Sequence, residues 1–309
     1  MSILQPPLPD HAGPSCYWPP GHGAADSLAI AAAAPRAAGP LLVVVDDNES
    51  AEQLLLELKF FCQNLAEIPV FSLPDWETLP YDSFSPHQDI VSDRLSTLYR
   101  LPTLQRGILV VSVSSLMHRL PPRQYVAANS LDLKLGQSID IAELRQQLIL
   151  AGYSAVDSVY EHGEFAVRGS IIDLFPMGSP HPFRLDLLDE ELDSIRVFEP
   201  ESQRSSEQVE SIKLLAGREF PLDEAGIMHF RAAFRERFDV DLRQCPLNQD
   251  VSDGLGSPGL EYYLALFFSS LNLLSDYLPE NTTVIRLGDP QAAGEQFWSD
   301  IEARFEDRK

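Results

Sequence analysis

The sequence predicts an α/β protein, a doubly wound parallel sheet with a second, small α+β domain inserted. Three observations lead there. Up to about residue 122, short apolar runs alternate with helix-length segments, the pattern of parallel strands joined by crossover helices. Residues 123–216 then read as short β segments joined by tight turns. After that the chain turns helical and ends on one more β-like run and a helix. A length of 309 residues fits two domains, one inserted in the other, at about 100–200 residues per domain.

The elements follow in order. The first 22 residues are rich in Pro and Gly and are expected to lie loose over the surface. A helix over Ala24–Ala34 stops at Pro35–Pro40, and Leu41–Val45 is a buried strand because it is β-branched and bounded by turn formers. Asn48 is placed to cap the next helix, where Leu54, Leu55, Leu58 and Phe61 share one face. A strand at Pro69–Leu73, a long loop over Pro74–Pro86, a helix over Asp89–Arg100 and a strand at Ile108–Val113 continue the alternation. Ser115 then caps one short helix before Pro121 and Pro122.

In the middle domain a helix spans Ile141–Ala151, with Asp140 at its N-cap, Glu143 completing a capping box and Gly152 just past its end. β segments are expected at Ser158–Tyr160, Phe165–Phe175, Phe183–Leu188, Ser194–Phe198 and Val209–Leu214. Beyond it lie a helix over Glu224–Phe238, a loop over Ser252–Gly259, a strand at Thr282–Leu287 and a last helix. Residues 301–309 read as a helix cut in mid-course, the mark of a fragment of a longer protein.

Composition excludes several functions. The formal net charge is −23, from 46 acids against 23 Lys and Arg. Nucleic-acid affinity rests mainly on basic residues neutralising phosphates, so the default partner is a protein with a basic surface. Three cysteines without metal-ligand spacing fit reduced thiols in the cytoplasm. No apolar run is long enough to span a bilayer, and the N-terminus lacks a secretory pattern, so no membrane partner is expected.

Candidate chemistry is thin. Gly21–Ser27 imitates a phosphate-binding loop, but it has no Lys and sets Asp26 where an anion would sit. Leu41–Asp46 imitates the acidic strand that holds Mg²⁺, yet without a phosphate cradle Asp46 and Asp47 are expected to start a helix. Glu161-His162-Gly163-Glu164 lacks the spacing of a metal-binding helix and reads as a turn. Asp189-Glu190-Glu191 reads as a solvated turn, and no nucleophile motif is present. No catalytic residue, metal or cofactor is assigned. Arg168 and Arg184 stand on β segments of an otherwise acidic module; from Asp186 to Glu210 there are nine acids and two arginines. They either serve as interface anchors or pair with acids inside the module.

A resemblance adds to this reading. Pro74–Ile90 with Arg94–Leu98, Glu161–Gly178, Phe183–Asp186 and Asp193–Phe198 resemble the N-terminal region of bacterial transcription-repair coupling factors (Mfd), over roughly residues 40–309. That region is similar to the excision-repair helicase subunit UvrB. The resemblance implies a degenerate helicase-like (P-loop NTPase-like) sheet split into domain 1a, residues 1–122, and domain 1b, residues 217–309, around domain 2, residues 123–216. It further implies a non-catalytic adaptor whose domain 2 recruits UvrA, the damage-recognition ATPase, to RNA polymerase stalled at a lesion. Its UvrA contacts map onto Arg168, Arg184 and Leu188; at the last position the family carries an aromatic residue, and Leu188 departs from it. The motor with its ATP and Mg²⁺, and the contacts with RNA polymerase and DNA, are implied to lie in other domains, and C-terminal domains of the same parent are implied to mask domain 2. The competing reading is a helicase-like domain that keeps ancestral nucleotide or DNA binding. Trp76, Tyr81 and Phe84 are expected to anchor their loop to the core.

Overall fold

The structure, a computed structural model, describes residues 3–9, 15–82, 84–241 and 245–307. The expected loose start and cut end lie partly outside them, at residues 1–2, 10–14 and 308–309. In chain order the elements are helix α1 (Ala25–Ala33), strand β1 (Leu41–Val45), α2 (Asn48–Cys62), β2 (Val70–Ser72), α3 (Gln88–Arg100), β3 (Ile108–Ser112) and α4 (Val113–Met117). Then come α5 (Arg123–Ala128), β4 (Leu131–Lys134), α6 (Ile141–Leu150), β5 (Ser154–Ala155), β6 (Glu164–Arg168), β7 (Ile171–Leu174), β8 (Phe183–Leu188), β9 (Glu191–Phe198), β10 (Ser205–Gln208) and β11 (Ser211–Leu214). The chain closes with α7 (Glu224–Arg237), α8 (Pro246–Ser252), α9 (Leu274–Tyr277), β12 (Thr283–Arg286) and α10 (Pro290–Asp307).

The fold class is mixed α/β with a parallel sheet, as expected. Compactness divides the chain at other points than 122/123 and 216/217. One unit holds Met1–Asp75, Arg100–His118 and Leu273–Lys309; the other holds Trp76–Tyr99 and Arg119–Asn272.

The first unit is built on a parallel sheet in the order β12-β1-β3-β2. Leu41 lies beside both Ile108 and Thr283, so β1 has a strand on each side and is buried along its whole length. That is why its sequence is continuously apolar rather than alternating. Ile30 of α1 and Leu54, Leu58 and Cys62 of α2 pack on it, with Leu55 and Phe61 partly buried beside them. Two caps differ from the expectation by a few residues. Asp47, not Asn48, accepts from the Ser50 N–H at 2.7 Å, and Ser112, not Ser115, caps α4. In each case the capping residue has the extended backbone a cap requires. The early residues that are described do not hang free: the Pro6 carbonyl accepts from Arg36 at 2.6 Å and the Pro7 carbonyl from Trp18 at 2.8 Å.

The second unit holds a six-stranded sheet, β10-β9-β8-β7-β6-β5, antiparallel except for β5 beside β6. A separate two-stranded ribbon joins β4 to β11. The Asp140 carboxylate caps α6 by accepting from the Ala142 and Glu143 N–H groups, but Glu143 does not close the box; its carboxylate accepts from Gln147. The expected single segment Phe165–Phe175 is two strands, because Gly169, at φ +64, turns the chain between β6 and β7. No strand forms at Ser158–Tyr160; an edge strand is β5 instead, and β4, β10, α5, α8 and α9 were not expected. The core gathers Leu144 and Leu148 of α6, Val91 and Leu95 of α3, and the inward residues of β6 to β9. Trp76 is buried as expected, whereas the Tyr81 and Phe84 side chains are exposed. Among the described residues no helix is long and apolar enough to cross a membrane.

Candidate functional site: the outer face of the antiparallel sheet

Alternation along the strands sorts the two faces of this sheet. Phe165, Ile172, Leu174, Phe183, Leu185 and Ile195 point into the core. Arg168, Asp173, Arg184, Asp186 and Leu188 therefore share the outer face. Register sets them in rows: Ala166, Asp173, Arg184 and Arg196 face one another across β6 to β9, and Arg168, Ile171, Asp186 and Ser194 form the neighbouring row.

The centre of the face is Asp173, whose side chain is fully buried. Its Oδ1 accepts from Arg184 Nε at 2.7 Å and its Oδ2 from Arg184 Nη2 at 2.9 Å, a bidentate fork. Oδ2 also accepts from Arg168 Nη2. Arg184 lies over the Phe198 ring, 5.2 Å from its centroid, and its Nη1 donates to the Gln203 carbonyl at 3.2 Å. The hydrogen bonds to Asp173 raise the proton affinity of Arg184 above its ordinary value. Both arginines thus pair inside the module, one of the two arrangements left open by the sequence. Pairing does not withdraw them from solvent: the Arg168 side chain is 49% exposed and that of Arg184 22%. Two guanidiniums on one carboxylate leave a net positive charge, fixed in place on a flat face.

Leu188 sits on the same face, at the end of β8, and is 69% exposed. It stands four residues from Arg184 on one strand, about 13 Å away. The structure therefore brings Arg168 and Arg184 onto one carboxylate and sets Leu188 along the strand from them. Sequence reasoning missed two members of the face. Asp173 is a lone acid in the apolar strand Ile171–Leu174, and that misfit was the available signal. Arg196 lies directly opposite Arg184 and is exposed; counting alternation back from Phe198 places it there.

The other candidates form different arrangements. The Asp26 carboxylate accepts from the Gly21 N–H at 3.1 Å, so the glycine-rich loop is engaged by its own acid. Asp46 accepts from the Asp289 N–H at 3.2 Å, and a Cβ on Gly288 (φ +76) would lie 2.1 Å from Asp46 Oδ2. That carboxylate is wedged against a backbone turn. In Glu161–Glu164 the Glu164 carboxylate accepts from the Tyr160 and Glu161 N–H groups at 2.8 and 2.9 Å. The His162 ring there lies 2.6 Å from Asp89 Oδ1 and 2.8 Å from the Ser179 carbonyl, tying the turn to α3. Asp189 turns the chain at φ +57 within an exposed acidic corner. Among the described residues no group of three or more His, Cys, Asp and Glu is placed to hold a metal.

Comparison with known proteins bears on this face. Residues 131–220 match the family model described as the UvrB interaction domain, which contains every residue of the face. The chain is 48% identical over 287 residues to a transcription-repair-coupling factor of Escherichia coli, covering 93% of this chain and 25% of that protein. Counterparts from Haemophilus influenzae and Myxococcus xanthus are 46% and 31% identical, over 92% and 85% of this chain. The chain spans about a quarter of the length of these relatives. With a UvrB interaction domain at its centre and such likeness along nearly all of its length, the chain belongs to the transcription-repair-coupling-factor family, of which it carries the UvrB-like N-terminal module.

Proposed function

We propose that this module is an adaptor that recruits UvrA to RNA polymerase stalled at damaged DNA, docking through Arg168, Arg184 and Leu188. Residues 123–216 form the docking domain in this reading, flanked by segments 1–122 and 217–309 of a helicase-like domain that performs no catalysis. The observation that carries it is the outer sheet face. One buried carboxylate holds two guanidiniums in fixed positions, with an exposed apolar side chain further along the same strand. Such a face suits a partner that offers carboxylates and an apolar pocket, and fixed arginines lose little freedom on binding. The engagement of the Gly21 amide by Asp26 supports the absence of nucleotide chemistry here. ATP, Mg²⁺, DNA and RNA polymerase belong, in this proposal, to further domains of a longer parent, whose C-terminal domains mask the face until the motor is engaged. The setting is the cytoplasm.

A pull-down and a titration with UvrA test it, using this chain, Arg168→Ala and Arg184→Glu. Each substitution is expected to weaken binding by about 2–5 kcal/mol; unfolding should stay cooperative, with a lower midpoint for Arg184→Glu because it strands the buried Asp173 carboxylate. Folded variants that bind as well as the parent chain would refute the assignment.

A further inference from the structure

The second unit contains a cavity of about 230 Å³ lined by Ser85, Gln88, Ser154, Arg218, Ser257 and Glu261 among others. Its polar groups are unevenly satisfied. The Ser85 hydroxyl donates to Glu261 at 2.9 Å and accepts from the Gly259 N–H at 3.1 Å; the Ser257 hydroxyl donates to Asp250 at 2.7 Å. The second acid of the lining, Glu219, is taken by Arg94 and by the Trp76 N–H. Arg218 is different. Its carbonyl is fixed by the Tyr125 hydroxyl at 3.1 Å, yet among the described residues its guanidinium has neither a hydrogen bond nor an ion pair, as is true of the Gln88 amide and the Ser154 hydroxyl. Burial disfavours the charged form of Arg218, and Glu261 partly offsets this as a counter-charge beyond ion-pair distance. Donors without a protein partner along the wall of a cavity, with a planar cationic fork among them and the Ser154 hydroxyl at the exposed rim, are the chemistry of an anion site.

We propose that this cavity binds a small oxyanion, a carboxylate or a phosphate, with the Arg218 guanidinium as its fork and the Gln88 amide and Ser154 hydroxyl as further donors. The site is independent of the docking face on the six-stranded sheet. Glu261 opposes the anion while ionised, and burial already pushes its carboxyl toward the neutral form. The two charged residues of the lining that are free of Arg94 therefore act in opposite directions, which gives the proposal two signs to meet.

The test is calorimetric titration of the whole chain with inorganic phosphate and, separately, with acetate; the two arms distinguish the oxyanions. Saturable binding in the millimolar range is expected for at least one. Arg218→Gln should weaken it at least about tenfold, because a charge-assisted bond is lost. Glu261→Gln, which keeps the acceptor for Ser85 but removes the charge, should tighten it severalfold. Should Arg218→Gln fail to fold, Arg218→Lys keeps the charge and loses the fork, and weaker binding is again expected. The absence of saturation with either anion, unchanged affinity in the Arg218 variants, or weaker binding in Glu261→Gln would each overturn the proposal.

Discussion

Arg94 and Glu219, 125 positions apart in the chain, form an ion pair at 2.5 Å with side chains 0% and 2% exposed. The Trp76 N–H donates to the same carboxylate at 3.2 Å, and the Arg94 guanidinium lies 5.0 Å from the Trp76 ring centroid. The stretch from Trp76 to Arg94 thus meets the distant Glu219 in one buried cluster. Losing one partner of a buried pair strands the other charge, which costs about 3–5 kcal/mol. Arg94→Ala is therefore expected to lower the denaturant midpoint sharply. Replacing Arg94 and Glu219 together by apolar residues of similar volume should recover most of that loss. Equal midpoints for Arg94→Ala and the parent chain would show that the pair does not hold the unit together.

At Leu188 the proposed binding role can be tested apart from stability. It is mostly exposed, so Leu188→Ala should change folding stability by no more than about 0.5 kcal/mol. Leu188→Phe places a flat aromatic at the position where the resemblance implies one. An aromatic contact adds about 0.5–1.5 kcal/mol beyond its buried area, so this variant should bind UvrA more tightly with an unchanged melting temperature. Surface plasmon resonance beside differential scanning calorimetry reads both quantities.

Alkaline pH should expose a third dependence. Tyr125 and Tyr153 are buried, and burial pushes both phenols well above the ordinary tyrosine range. The unfolded chain gives up these protons above about pH 10, while the folded chain holds them. Their contribution is complete below that pH and is lost as pH rises beyond it. Tyr153 also donates to the Leu215 carbonyl at 2.9 Å and accepts from the Met177 N–H at 3.0 Å. Tyr153→Phe should therefore cost about 1–3 kcal/mol at neutral pH and lose less than the parent between pH 9 and pH 11. Melting curves across that range check it; parallel curves would contradict it.

Local chemistry made much of this fold legible. Leu41–Val45 and Phe183–Leu188 appear where the sequence set them, one as a continuous apolar run and the other through its alternation. What escaped was settled by distant partners. β4, a half-polar strand, exists because Leu131–Lys134 pairs with Leu214–Ser211, some eighty residues later. β5 spans two exposed residues and is a strand only because β6 runs beside it. The same holds at the outer face of the six-stranded sheet. Arg168 and Arg184 stood out against an acidic background and Asp173 as a lone acid in an apolar strand, but only strand register shows that the three meet.

The place of β12 beside β1 has a consequence for synthesis. β1 and β3 leave the ribosome early, but one flank of β1 stays bare until residue 286 has been made, after the whole of the second unit. At about 5–20 residues per second, the apolar edge of β1 waits on the order of 10–50 s for its neighbour. During that interval the second unit can complete itself while the first cannot, and the nascent chain is most open to chaperones and to mispairing along that edge.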